Sequence, residues 1–309
     1  MKAAFITQYG SDAKVTLGDL PTPAYSSTQV LIKVSAAGVN PVDFHVRNGM
    51  LSNSNTHTLP LILGWDAAGI IAHVGDDVDH LKVGDEVFVF SPIDQQGTYA
   101  EFLAVDANLV AIKPTALSMT ESAGVPLAAL TALQGLMAGQ LKKDQSVLIL
   151  GGSGGVGGFA IQIAKSIGAH IITTASAKNE EYVKSLGADE VIDYKSVEFD
   201  DVVKNIDVVF VTTNGNDVVA RSLQITKKGG YVVSTLDDID SSVAEASAVN
   251  FSRMWVQPNS SHLEEICELI DNKKIIVKID SVYPLVEAND AVLKSESNRA
   301  VGKIIINME

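Results

Sequence analysis

The chain has 309 residues, 46% hydrophobic and 19% charged, which is ordinary globular composition and length enough for two domains with cores of their own. Its 37 acidic and 23 basic residues give a formal net charge of −14, a sign that repels nucleic acid and anionic membrane surfaces. The single cysteine, Cys267, excludes an internal disulfide, no stretch reaches the ~18 apolar residues of a membrane span, and the opening MKAAFITQYGSDAK lacks an apolar region of signal-peptide length; a reducing, cytoplasmic setting is the expectation.

Up to about residue 115 the pattern is short strands and turns. Residues 3–6, 30–34, 68–74, 86–89 and 99–105 read as strands separated by Pro, Gly, Asn and Asp, and together they predict an all-β module. The polar tract 51–59 (LSNSNTHTL) has no period and predicts a mobile loop, placed to border a substrate entrance. At Ser118 the period changes: Ser118 and Glu121 form a capping box ahead of a long helical pattern through Leu127, Leu130, Leu133 and Met137.

Residues 146–176 then supply a complete βαβ unit. The apolar run Val147, Leu148, Ile149, Leu150 enters a glycine-rich turn; a helical pattern through Phe159, Ile161, Ile163, Ala164 and Ile167 follows, and then a β-branched run at 171–174. Gly152, Gly154 and Gly157 stand in G-x-G-x-x-G spacing, for a tight turn, for close approach of a pyrophosphate to the backbone, and for packing of helix on strand respectively. The pyrophosphate would lie against Ser153, Gly154, Gly155 and Val156 at the positive end of the helix. About 20 residues past such a motif an acid usually grips the ribose 2′-hydroxyl of NAD. Here the chain reads Ala175, Ser176, Ala177, Lys178, Asn179, with no acid. Ser176, Lys178 and Asn179 suit a 2′-phosphate, which predicts NADPH over NADH; a Ser176 that caps the next helix and a solvated Lys178 are the simpler roles, compatible with it.

Strand-like runs at 190–192, 207–211, 231–235 and 250–256, with helical segments 180–186 and 217–225 among them, complete six candidate strands of a parallel, doubly wound α/β sheet. Thr212 and Thr213 follow a strand's carboxyl end, where such sheets bind ligands. The acidic tract 236–248 predicts a solvated surface connection. A helix at 261–272, a strand at 275–282, a turn at Pro284, a helix at 286–295 and a strand at 301–307 are too few for a domain alone and should return to the first module. The predicted division is residues 118–261 for the dinucleotide-binding domain and 1–117 with 262–309 for the other.

Eight segments in order resemble the medium-chain dehydrogenase/reductase superfamily, specifically its zinc-free quinone and enone reductases: AAGVNPVDFHVRNG, PLILGWDAAGII, VGDEVF, GTYAEFLAV, LAALTAL, GGSGGVG, SLGADEVIDY and VGKIII. The resemblance covers nearly the whole chain. It implies a GroES-like β-rich catalytic domain split around a six-stranded Rossmann domain, a cleft between them, and a homodimer. Where the zinc branch carries a Cys and a His ligand, this chain has Asn40 and Trp65. Its histidines (45, 57, 73, 80, 170 and 262) show no ligand spacing, so no metal is expected. Without a Lewis acid the suited acceptors are small apolar quinones or α,β-unsaturated carbonyls, whose conjugation spreads the charge that hydride addition creates.

The resemblance also implies site residues, each with a plainer alternative. Asn40 lines the nicotinamide region or stabilises a turn. His45 replaces a common Tyr and is either a proton donor or a partly exposed structural histidine. Asp66 matches the family's acidic residue after the lost histidine, a catalytic candidate or only a cleft-lining charge, and Asp43 and Arg47 make structural polar contacts rather than catalyse. Thr131 lies near nicotinamide or bonds its own helix. Tyr194 meets the 2′-phosphate end, and Arg299 either reaches the cofactor or is solvated. An NADPH-binding sensor or structural protein with little turnover is the alternative to a reductase.

Overall fold

A computed structural model describes residues 1–54 and 56–308, and its contacts divide the chain into two compact units. One comprises Met1–Leu130, Gln257–Asn272 and the residues from Val277 on; the other comprises Thr131–Val256 and Lys273–Ile276.

The first unit opens with β1 (Lys2–Ile6), β2 (Thr16–Asp19), β3 (Gln29–Val39), α1 (Pro41–Arg47), β4 (Leu61–Ile62), β5 (Asp66–Val74), β6 (Glu86–Phe90), β7 (Phe102–Asp106) and β8 (Val110–Ile112). Val30, Ile32 and Val34 of β3 alternate inward against Ala67, Ile71, Val87, Val89, Leu103 and Val105. Each large aliphatic side chain so buried is worth about 1.5–3 kcal/mol. The predicted strand at 99–105 begins only at Phe102; Tyr99 and Ala100 instead lie against β1, with Ala100 bridged to Ala3. Asn55 of the 51–59 tract lies outside the described residues, and the remainder of that tract forms turns and irregular backbone.

The single helix predicted from Ser118 is two helices, α2 (Met119–Ala123) and α3 (Pro126–Ala138). The Ser118–Glu121 capping box opens α2 as its spacing requires. Gly124 ends it, and Pro126, which has no N–H to offer a preceding turn, is tolerated only where α3 begins.

The second unit continues with β9 (Ser146–Leu150), α4 (Gly155–Ile167), β10 (His170–Ala175), α5 (Glu180–Ser185), β11 (Glu190–Asp193), α6 (Phe199–Val202), β12 (Ile206–Val211), α7 (Val218–Ile225), β13 (Thr226–Ser234), α8 (Ser241–Ser247) and β14 (Asn250–Arg253). Its six strands pair in parallel in the order β11-β10-β9-β12-β13-β14. The connections reverse direction at β9, which puts the turn after β9 at the point where such sheets bind ligands. The tract 236–248 is more than a solvated connection. Asp240 caps α8 through Ser242, and Ala244 and Ile239 pack on the core beside Val218 and Leu223, so the acids decorate one side of an amphipathic piece.

The chain then gives α9 (Ser260–Asp271), β15 (Ile279–Pro284), α10 (Ala288–Glu296) and β16 (Lys303–Asn307). β16 pairs antiparallel with β3 and parallel with β15, extending the first unit's larger sheet to the path β15-β16-β3-β5-β6-β8, with β7 also on β3. The strand predicted from residue 275 starts later. Ile276 is held instead by the side chain of Gln162, which accepts from its N–H at 2.7 Å and donates to its carbonyl at 3.1 Å.

Candidate active site

In the second unit the turn between β9 and α4 distinguishes its glycines by what surrounds them. The left-handed residue is Gly151 (φ 91°), one before the counted motif, so the conformational demand assigned to Gly152 falls on its neighbour. A methyl group on Gly152 would lie 2.1 Å from the Thr173 hydroxyl, and one on Gly157 would lie 2.2 Å from the Gly151 carbonyl oxygen. On Gly154 it would meet only the Gly151 carbonyl oxygen, at 3.4 Å. Gly152 and Gly157 are therefore demanded by the turn's own packing, while Gly154 keeps a side open to a ligand. α4 begins at Gly155 without a side-chain cap, and Ser153, Gly155 and Val156 are half-buried beside it. Uncapped N–H groups at the positive end of a 13-residue helix fit a pyrophosphate.

The adjoining strand ends carry the other predicted cofactor residues. Ala175 pairs with Asp193, so Ser176 and Tyr194 leave the sheet side by side. Ser176 is buried and its hydroxyl makes no capping bond; Lys178 and Tyr194 are exposed, and Asn179 is half-buried. Asp193, passed over in the sequence, is the acid of this edge. Its carboxylate accepts from the Lys195 N–H at 3.2 Å and the Ser196 hydroxyl at 2.9 Å, and these bonds hold it below the usual carboxylate range. The Thr212 hydroxyl donates to the Leu150 carbonyl at 2.6 Å, whereas Thr213 is exposed. Thr131 is buried in α3.

In the first unit three adjacent strands deliver a buried polar cluster. The β16–β3 register pairs Ile304 with Val39, which sets Lys303 opposite Asn40, and the β3–β5 register pairs Gly38 with Asp66. Asn40, Asp43, Asp66, Tyr99 and Lys303 are all at most 4% exposed. Asn40 Nδ2 donates to Asp66 Oδ2 at 2.8 Å, and Asn40 Oδ1 accepts from Lys303 Nζ. Asp66 Oδ1 accepts from the Leu127 N–H at 2.7 Å in the first turn of α3, while Lys303 lies 3.7 Å from Asp66 Oδ2 and donates to the Val39 carbonyl at 3.2 Å. Asp43 Oδ2 accepts from the Asn40 N–H at 2.8 Å and from the Tyr99 hydroxyl at 2.5 Å; its Oδ1 has no partner.

Burial dominates the electrostatics of this cluster. It pushes Asp43 up to about 7 and Asp66 up to about 6, and it pushes Lys303 down against the pull of the two carboxylates. Two carboxyls and one ammonium are neutral together when one carboxyl keeps its proton. Asp43 keeps it, because Asp66 has the lysine, the Asn40 amide and a helix N-terminus to hold its charge.

The other predicted residues lie around this cluster or apart from it. His45, in the last turn of α1, sits against Phe44 with ring centroids 4.2 Å apart; burial lowers its pKa further than Glu296 raises it, leaving the ring neutral at pH 7. Arg47 is buried and donates to both Glu296 carboxylate oxygens at 2.8 Å. Trp65 is fully buried, and Arg299 is exposed in the segment before β16. Among the described residues no group of three His, Cys, Asp or Glu side chains is placed to hold a metal ion. Lys303 and Tyr99 were missed in the sequence. The available signal was a lone lysine in the otherwise apolar terminal strand KIIIN, a residue type that is almost never buried without a partner.

Residues 26–115 match the family model for the alcohol dehydrogenase GroES-like domain, and residues 186–306 match that for zinc-binding dehydrogenases. The chain is 35% identical to 2-methylene-furan-3-one reductase of Solanum lycopersicum, covering 99% of this chain and 79% of that protein. It is 34% identical to the chloroplastic NADPH-dependent alkenal/one oxidoreductase of Arabidopsis thaliana, with the same coverage of 99% and 79%. The solved structure of the quinone oxidoreductase from Coxiella burnetii superposes with a TM-score of 0.93 at 33% identity, over 100% of this chain and 99% of that one. With the six-stranded Rossmann sheet and the GroES-like β-rich unit both in place, the chain belongs to the medium-chain dehydrogenase/reductase superfamily, in its branch of NAD(P)H quinone and alkenal/one oxidoreductases.

Proposed function

We propose that this protein is an NADPH-dependent reductase of small α,β-unsaturated carbonyls and quinones that works without a metal ion. The observation that carries the reading is the chemistry at the zinc branch's two ligand positions, where Asn40 offers a neutral amide donor and Trp65 a buried indole. When bound, NADPH supplies a hydride to the β-carbon of an enone or to a quinone. Gly154 and the first turn of α4 hold the pyrophosphate; Ser176, Lys178, Asn179 and Tyr194 take the 2′-phosphate. Asp193 already accepts two hydrogen bonds within its own turn.

Asn40 donates an amide hydrogen to the acceptor's carbonyl oxygen, where negative charge grows as the hydride arrives. Conjugation makes one or two such donors sufficient. The resulting enolate takes a proton at its α-carbon from water, His45 being neutral at pH 7. The names of the tomato and Arabidopsis relatives, a furanone reductase and an alkenal/one oxidoreductase, support this acceptor class.

Isotopic labelling tests the step. With NADPH carrying deuterium at C4 and a simple enone, one stereoisomer of the labelled cofactor should place deuterium on the product's β-carbon and leave the carbonyl intact. Deuterium at the carbonyl carbon of an allylic alcohol would overturn the reading.

A further inference from the structure

We propose that Lys303 is a positioning residue for this reduction: its ammonium, seated on the amide oxygen of Asn40, fixes and polarises that amide so that an Nδ2 hydrogen is presented to the acceptor's developing oxygen anion. The proposal rests on the reading of Asn40 given above.

Asn40 is held by two unlike partners. Lys303 Nζ can only donate and occupies Oδ1, while the Asp66 carboxylate accepts from Nδ2 at 2.8 Å. Turning the amide over would set its NH2 group against an ammonium and its oxygen against a carboxylate. One orientation therefore survives, and it is chosen by charge. An amide nitrogen carries two hydrogens; Asp66 takes one, and the other is the donor assigned to substrate.

The same contact tunes that donor. A cation on an amide oxygen draws electron density from the nitrogen, and bonds in a chain strengthen one another where the dielectric is low. Lys303 is 4% exposed, Asn40 2% and Asp66 0%, so water does not screen the effect. The lysine's other contacts are the Val39 carbonyl, at 3.2 Å, and Asp66 Oδ2, at 3.7 Å. Topology places it there: β16 returns antiparallel to β3, and Lys303 faces Asn40 across 263 residues of chain.

The test compares Lys303→Met with the wild type, the buried Asp66 carboxyl being free to take a proton once the ammonium is gone. Lys303→Arg, which restores a cationic donor, serves as the rescue. NADPH affinity is read by fluorescence titration, and kcat on an enone and on a quinone. The methionine variant should bind NADPH as the wild type does, lose kcat on the enone roughly 10-fold, and lose less on the quinone, whose aromatic product relies less on a donor; Lys303→Arg should recover most of the wild-type rate. Equal losses on both acceptors, or an unchanged kcat while Asn40→Ala lowers it, would overturn the role of Lys303 alone. An unchanged kcat in Asn40→Ala would remove the reading of Asn40 and this proposal with it. If the methionine variant shows no cooperative melting, Lys303→Gln removes only the charge, and an undiminished enone rate there is equally decisive against it.

Discussion

Asp43 differs from Asp66 in having no cation in contact, and that difference sets its titration. Both carboxyls are fully buried, but Asp43 relies on the Asn40 N–H and the Tyr99 hydroxyl and is raised from 3.8 to about 7. A carboxyl raised in the folded state holds a proton that the unfolded chain has already released. Its contribution to stability is full below pH 3.8 and is lost as the pH climbs to about 7. Over that window the loss is about 4 kcal/mol. Asp43→Asn keeps an oxygen to accept both hydrogen bonds and removes the titration. Urea unfolding at pH 5 and pH 8 should therefore show the wild type losing stability relative to the variant; parallel pH profiles would contradict the assignment of the proton to Asp43.

At the scale of an element, the β9–α4 turn separates packing from function among residues of one type. Gly157→Ala drives a methyl into backbone, 2.2 Å from the Gly151 carbonyl oxygen, and should lower stability by about 1–3 kcal/mol along with dinucleotide affinity. Gly154→Ala meets nothing closer than 3.4 Å, so its melting temperature should hold while NADPH affinity falls, the methyl occupying space a pyrophosphate needs. Calorimetric melting and NADPH titration of the two variants check this; comparable loss of stability in both would contradict the open side at Gly154. The sequence motif locates this turn because strand, glycines and helix follow in order. It does not reveal that Gly151 takes the left-handed conformation, since spacing says nothing of φ. Pro126 divides α2 from α3, but the period that dominates this stretch, Leu127, Leu130, Leu133 and Met137, lies wholly beyond it and does not show the break. The 236–248 tract hid Ala244 and Ile239 among acids, whose count predicts solvation better than it predicts which face they occupy.

For the whole molecule, the alternation of strands and helices after residue 146 made the doubly wound sheet legible, because parallel strands need helical crossovers. The return of the last strands to the first module followed from their being too few to stand alone. The cluster of Asn40, Asp66 and Lys303 was not legible as a unit: pairing of β16 with β3 is a tertiary event, and no local pattern announces which strand a terminal lysine will face. Breaking such a buried pair by removing one partner typically costs about 3–5 kcal/mol, so the cluster constrains both the fold of the first unit and the chemistry assigned to it. The central claim, a metal-independent NADPH reductase of conjugated acceptors, is tested most directly by following 340 nm absorbance of the purified protein with NADPH, then NADH, against quinones, enones, an aldehyde and a saturated ketone, with and without chelator. Oxidation of NADPH in preference to NADH is expected, only with quinones or enones, and unchanged by chelator. Binding of NADPH with no turnover of any conjugated acceptor, or turnover that chelator abolishes, would contradict it.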